Sequence, residues 1–301
     1  MKNLCSLGLS CLALFGAFSH SNVCAQSKIN NETDFGSDMA LIWHDEFDTD
    51  GQPDTSRWNY ERGFVRNQEV QWYAPENAYQ RDGLLVLEAR PAEFACPTYE
   101  AGSRDWRKNR PTVQWTSAAV ETRESFSYQY GRLEVRARIP VCLGAWPAIW
   151  LMGKGLPWPS NGEVDLMEYY QSGGKPTILA NAAWGSDKPN VGQWDSSYTP
   201  LTHFTEKDPM WASRFHVWTM DWDENFIRLY LDGELLNETN LQNTVNGKAN
   251  GEGVNPFRRP MFLLLNLALD IRVKDLDVRD FPMRYEIDYV RVYQKTEPNK
   301  R

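Results

Sequence analysis

Beyond its first 25 residues this chain has only two cysteines, Cys96 and Cys142, and three histidines, His44, His203 and His216. Two cysteines exclude a disulfide-stapled miniature scaffold and a four-cysteine zinc site. In an oxidising compartment they form either one bridge or two separate thiols, depending on whether their Cα atoms come within roughly 7 Å. The histidines are not paired at metal-ligand spacing. No HExxH, GxSxG, CxxC or phosphate-loop pattern is present, which removes zinc peptidase, serine hydrolase, thiol redox and nucleotide chemistries of the usual kinds. No apolar run approaches the roughly 20 residues needed to cross a bilayer. Basic charge is also short: 32 Lys and Arg stand against 40 Asp and Glu, a net charge of −8 that becomes −9 once Lys2 is lost with the leader. Such a balance argues against nucleic acid and anionic membrane surfaces as partners. Sustained helical periodicity is missing too.

What the chain does have is a leader and aromatic rings. Residues 1–25 carry Lys2, an apolar stretch around Leu12-Ala-Leu-Phe15 and a Val23-Cys24-Ala25 site, the organisation of a cleavable signal peptide. The expectation is cleavage after Ala25 and export to the periplasm or medium. The alternative, a lipidated Cys24, is weakened by bulky Val23 before it. Residues 26–37 are polar and without period, an exposed arm; 38–296 form one domain, and 297–301 a polar tail. The full chain holds 13 Trp, 13 Tyr and 13 Phe. Pyranose rings present apolar C–H faces that flat aromatic surfaces cover, so an acidic, aromatic-rich, exported chain fits neutral sugar ligands.

Strand signals dominate the domain. From Gly131 to Pro140, Leu133, Val135, Ala137 and Ile139 alternate with Arg132, Glu134, Arg136 and Arg138, the period of a strand buried on one face. Phe226–Leu231, Asp232-Gly233 and Glu234–Leu236 read as a tight hairpin. Residues 83–90, 215–222 and 285–293 are further strands, and 261–269 is an apolar run suited to a strand covered on both faces. The fold class expected is all-β: two antiparallel sheets packed as a jelly-roll sandwich.

The chemistry lies in Glu163-Val-Asp165-Leu-Met-Glu168. On a helix the second and third acids would fall about 200° and 140° from the first. On an ideal strand Glu163 and Asp165 share a face while Glu168 points away. One extra residue, a β-bulge at Leu166-Met167, returns Glu168 to the face of its partners. The two glutamates could then bring their carboxyls to about 5 to 6 Å, the separation of a retaining glycosidase. Glu163 would be the nucleophile, Glu168 the acid/base, and Asp165 the residue that tunes the nucleophile. ExDxxE alone could equally be a solvated strand edge or a cation site. Its neighbours Val164, Leu166, Met167, Tyr169 and Tyr170 argue for carboxylates kept at a desolvation cost.

Four further segments, Tyr130–Arg138, Gly144–Trp150, Trp158–Glu168 and Asp288–Tyr293, resemble glycoside hydrolase family 16 in its laminarinase-like branch, over about residues 41–294. The resemblance implies a concave cleft, hydrolysis of internal β-linkages with retention, the same three acids, and no cofactor in the reaction. It also implies that Trp146 and Trp150 stack on sugar, that Arg66, Asn67, Glu69 and Tyr73 form a loop toward the non-reducing side, and that Trp184 lies near the acid/base. A structural calcium would be held by Glu46 and Asp288 on the convex face. Two features depart from the pattern: Tyr169-Tyr170 and Asn181-Ala-Ala-Trp184 replace histidines common in laminarinases, and Leu269-Asp-Ile-Arg-Val273 replaces a Gly-Gly loop. The expected substrate is a β-1,3-containing glucan, laminarin or mixed-linkage glucan, cut by a monomer. The alternatives are an endo-β-galactosidase on galactans or host poly-N-acetyllactosamine and mucin O-glycans, and a non-catalytic carbohydrate-binding jelly roll.

Overall fold

The computed structural model describes residues 39–273 and 276–296. The expected signal peptide, arm and tail lie outside them. The described residues form one compact unit.

The described residues build two facing sheets, one of ten strands and one of seven, with only short helical turns such as Thr202–Thr205 between them. The fold is the all-β jelly-roll sandwich that strand periodicity requires. In the larger sheet Gly131–Arg138 pairs with His216–Trp222 on one side and Met283–Lys295 on the other. Leu133, Val135 and Ala137 point inward and are essentially fully buried. On the outer face Arg132, Arg136 and Arg138 each find an acid on a neighbouring strand, namely Asp221, Asp288 and Glu286. The hairpin at Asp232-Gly233 has both residues at positive φ, 48° and 83°, as a two-residue turn demands.

The seven-stranded sheet runs in the order Gly192–Pro200, Lys175–Gly185, Glu163–Ser172, Ala145–Gly153, Met261–Leu269, Ala119–Glu121, Asn59–Tyr60. All nine residues of Met261–Leu269 are buried, as expected of a strand covered on both faces. Val164, Leu166, Met167, Ile149, Leu265 and Leu267 from this sheet meet Leu133, Val135 and Ile287 from the other in one apolar core. The opposite face of the smaller sheet bears the cleft.

Of the two states open to Cys96 and Cys142, the bridge is not the one formed, and both are free thiols. Cys96 packs with Phe64 and Val113 in a satellite cluster, whereas Cys142 lies against the main core. Glu46 and Asp288, the carboxylates that the resemblance assigns to a structural calcium, each engage an arginine. Arg291 donates to both Glu46 oxygens at 2.9 and 2.8 Å, and Arg136 to Asp288 Oδ2 at 2.5 Å. Guanidinium groups already neutralise both carboxylates, and among the described residues no group of three or more His, Cys, Asp or Glu side chains is gathered for a metal.

Candidate active site

The strand Glu163–Ser172 pairs with Lys175–Gly185 and Ala145–Gly153, and both ladders slip at the same place. Asp165 lies opposite Asn181, but Glu168 opposite Leu179; on the other side Asp165 faces Trp150, and Met167 faces Ile149. That is a β-bulge over Leu166-Met167. Consecutive Leu166 and Met167 are both fully buried, which a regular strand in a one-sided sheet does not allow. The extra residue is hidden in the core, and Glu163, Asp165 and Glu168 all line one cavity of about 720 Å³.

Each glutamate has an indole donor. Trp158 Nε1 donates to Glu163 Oε2 at 2.5 Å, and Trp146 Nε1 to Glu168 Oε1 at 2.8 Å. The amide of Asn181 donates to both Asp165 Oδ2 at 3.1 Å and Glu168 Oε2 at 3.3 Å.

Burial is the first cause of the acids' altered titration. It raises Glu163 against the lowering effect of the Trp158 and Asp165 hydrogen bonds and the Arg66 charge. Asp165 is driven well above the ordinary carboxyl range by burial and by the negative charges of Glu168 and Glu163. Glu168 is pushed up to about 7, again mainly by burial, while the Trp146 bond lowers it and Glu163 raises it. Three acids share too little solvent for all to ionise together. The arrangement can therefore hold one carboxylate beside one carboxylic acid near neutral pH.

The other expected residues divide. Arg66, Asn67, Glu69, Trp146 and Trp150 line the cavity. Asn67 and Gln68 lie at φ 54° and 55°, and Arg110 ties the loop down by donating to the carbonyls of Glu69 and Gln68 at 2.6 and 2.7 Å. Glu69 is buried and accepts from Gln71, Tyr73 and Asn67. Trp150 is 7% exposed; Arg66 sits 4.9 Å over its ring, and its Nε1 donates to Asn266 at 2.7 Å. It is more a packed floor than an open platform. Tyr73 is fully buried and does not reach the cavity surface. Its hydroxyl links Glu69 to Asn266, so it supports the lining from beneath.

Trp184 is a correction. It lies in the core against Phe257 and is absent from the lining. Asn181 faces the cleft, and three residues further along a strand a side chain points to the opposite face.

The cavity also takes in Met152, Trp158, Tyr170, Asn181, Trp194, Ser196, Tyr198 and Asn266. Tyr170 and Asn181 stand out in the sequence as departures from the histidines of laminarinases, and Trp194-x-Ser196-x-Tyr198 by its period of two. Beside Tyr170, Arg272 sits 4.4 Å over that ring and 5.5 Å from the Trp146 centroid, held by Asp270. Against the burial that raises the Glu168 pKa, the Arg272 charge lowers it.

Comparison with known proteins agrees with this geometry. The sequence model of glycosyl hydrolases family 16 matches residues 64–270. The glucan endo-1,3-beta-glucosidase A1 of Niallia circulans is 30% identical over 85% of this chain. The keratan-sulfate endo-1,4-beta-galactosidase of Sphingobacterium multivorum is 29% identical over 90% of it. The chain spans 38% and 59% of the lengths of these two relatives. A solved structure from work on endo-acting O-glycanases, with which prominent members of the human gut microbiota initiate mucin breakdown, superimposes with a TM-score of 0.76 at 34% identity. That match covers 87% of this chain and 93% of the other.

Proposed function

The chain belongs to family 16 of the glycosyl hydrolases, and from that premise we propose that it cleaves internal β-glycosidic bonds with retention, using Glu163 as nucleophile and Glu168 as acid/base. The observation that carries this reading is the bulge at Leu166-Met167, which puts both glutamates and Asp165 on one cavity wall.

In the first step a carboxylate oxygen of Glu163 attacks the anomeric carbon as the bond to the leaving oxygen breaks, and Glu168 gives that oxygen its proton. In the second, Glu168, now a carboxylate, takes a proton from water. The water oxygen displaces Glu163 from the same carbon, and two inversions give net retention. The Trp158 N–H and the hydrogen bond with Asp165 both favour the ionised nucleophile. The Trp146 and Asn181 donors keep Glu168 poised to regain a charge between the steps. No cofactor takes part in either step.

For the substrate, we propose β-galactosyl links within poly-N-acetyllactosamine or mucin-type O-glycans. The support is the O-glycanase match and the keratan-sulfate endo-galactosidase relative. The glucan endo-1,3-beta-glucosidase relative favours the second reading, a β-1,3-containing glucan. Chromatography of products from a panel of keratan, mucin O-glycans, laminarin and mixed-linkage glucan separates them. Cleavage of laminarin with none of the galactosyl glycans would overturn the first reading. Export belongs to the same proposal, because such polymers are met outside the cell; sequencing the mature amino terminus tests cleavage after Ala25.

A further inference from the structure

The strand Gly192–Pro200 closes the cleft-bearing sheet at one edge. Its alternation reverses that of an ordinary edge strand. Asp195, Ser197 and Thr199 take the half-buried side, while Trp194, Ser196 and Tyr198 take the exposed side. Trp194 is 46% exposed and Tyr198 56%. A strand arranged only for stability hides its aromatic rings and gives its hydroxyls to water. Here the rings face into the cavity instead.

The register sets them in line with the acids. Across the intervening strand, Trp194 aligns through Ala183 with Glu163, Ser196 through Asn181 with Asp165, and Tyr198 through Leu179 with Glu168. The offset is two strand spacings, roughly 10 Å. The cavity crosses five strands, from these residues to Asn266, or roughly 19 Å. A glycan lying in the cleft and passing over the acids thus leaves it between Trp194 and Tyr198, whose Cα atoms are roughly 13 Å apart.

The Trp194 ring packs beside Trp158. A Cβ at Gly192 would lie 3.1 Å from Trp194 Nε1 and 3.3 Å from Trp158 Cζ2, so glycine there leaves the space in which the two indoles meet. From the other sheet, Asn237 donates to the carbonyls of Ala180 and Asp195 at 3.0 and 3.3 Å, fixing the edge strand from behind.

We propose that Trp194 and Tyr198 are the two walls of an outer sugar-binding subsite, with Ser196 on its floor, that holds a pyranose ring of the β-linked chain at the edge of the cleft. The rings cover the apolar C–H faces of the sugar, and the Ser196 hydroxyl meets its rim. This subsite rests on the hydrolase reading of the cleft.

The test is calorimetric binding in a Glu163→Gln background, with poly-N-acetyllactosamine and laminarin oligosaccharides of graded length as probes. Trp194→Ala and Tyr198→Ala should each weaken binding of the longest bound oligosaccharide by about tenfold and remove its affinity gain over the shortest. Tyr198→Phe, which keeps the ring, should stay near the parent. Unchanged long-chain affinity in both alanine variants overturns the subsite. Product formation by the Glu163→Gln parent would instead overturn the catalytic reading, so the two failures are separable.

Discussion

Trp146 donates its indole N–H to Glu168 Oε1 at 2.8 Å, and this bond opposes the burial that pushes the Glu168 carboxyl up to about 7. A general acid works only while protonated, so kcat/KM should fall as pH rises through about 7. Trp146→Phe keeps a ring but removes the donor that stabilises the anion. The basic limb of the pH–rate profile should then move upward, and a downward move would show that the bond does not control the acid.

Removing either glutamate should cost more than about a thousandfold in kcat, but the two losses should differ in kind. Azide added to Glu163→Ala can take the place of the missing nucleophile and give a product of inverted configuration. Added to Glu168→Ala it can attack the glycosyl-enzyme and give a retained one. The configurations of the two glycosyl azides, read by NMR, assign the roles. Opposite outcomes would exchange them.

The same burial has a stability cost. The Glu168 pKa is raised by folding from the ordinary 4.5 to about 7. Its contribution is therefore fully present below about 4.5 and lost as pH rises through about 7, where folding must hold a poorly solvated anion. Glu168→Gln has no charge to desolvate. Its Tm should exceed that of the unaltered protein at about pH 8, and the gap should close at about pH 4. An equal gap at both pH values would trace the change to packing instead.

The period-two run through Leu133, Val135, Ala137 and Ile139, the Asp232-Gly233 turn and the bulge at Leu166-Met167 were legible in the sequence, because each follows from local geometry. The acids were legible for the same reason: their spacing fits one face only with an extra residue. What local pattern could not supply was facing. Trp184 and Tyr73 are aromatic residues near the cleft in sequence, yet strand parity buries the first and the Glu69–Asn266 bridge encloses the second. Asn266 reaches the cavity through a pairing with Ala148 made across a long stretch of chain, which no local period encodes.

Outside the cleft lining, Glu46 and Arg291 are a paired, largely buried couple, with side chains 10% and 11% exposed. Glu46→Ala would remove the carboxylate that accepts from two nitrogens of the Arg291 guanidinium and should destabilise the fold by about 3 kcal/mol. Because Arg291 and Arg136 already engage Glu46 and Asp288, a chelator should leave the Tm of the unaltered protein unchanged. A fall in Tm restored by added calcium would show that these carboxylates exchange their arginines for the ion.

The most direct test is the anomeric configuration of the first product, followed by NMR within the first turnovers on a cleaved glycan. With Glu163 and Glu168 acting from one cavity wall through a covalent glycosyl-enzyme, the new reducing end should appear as the β-anomer and only later mutarotate. Initial appearance of the α-anomer would mean a single displacement by water, and would contradict the pairing of these two acids across one bond.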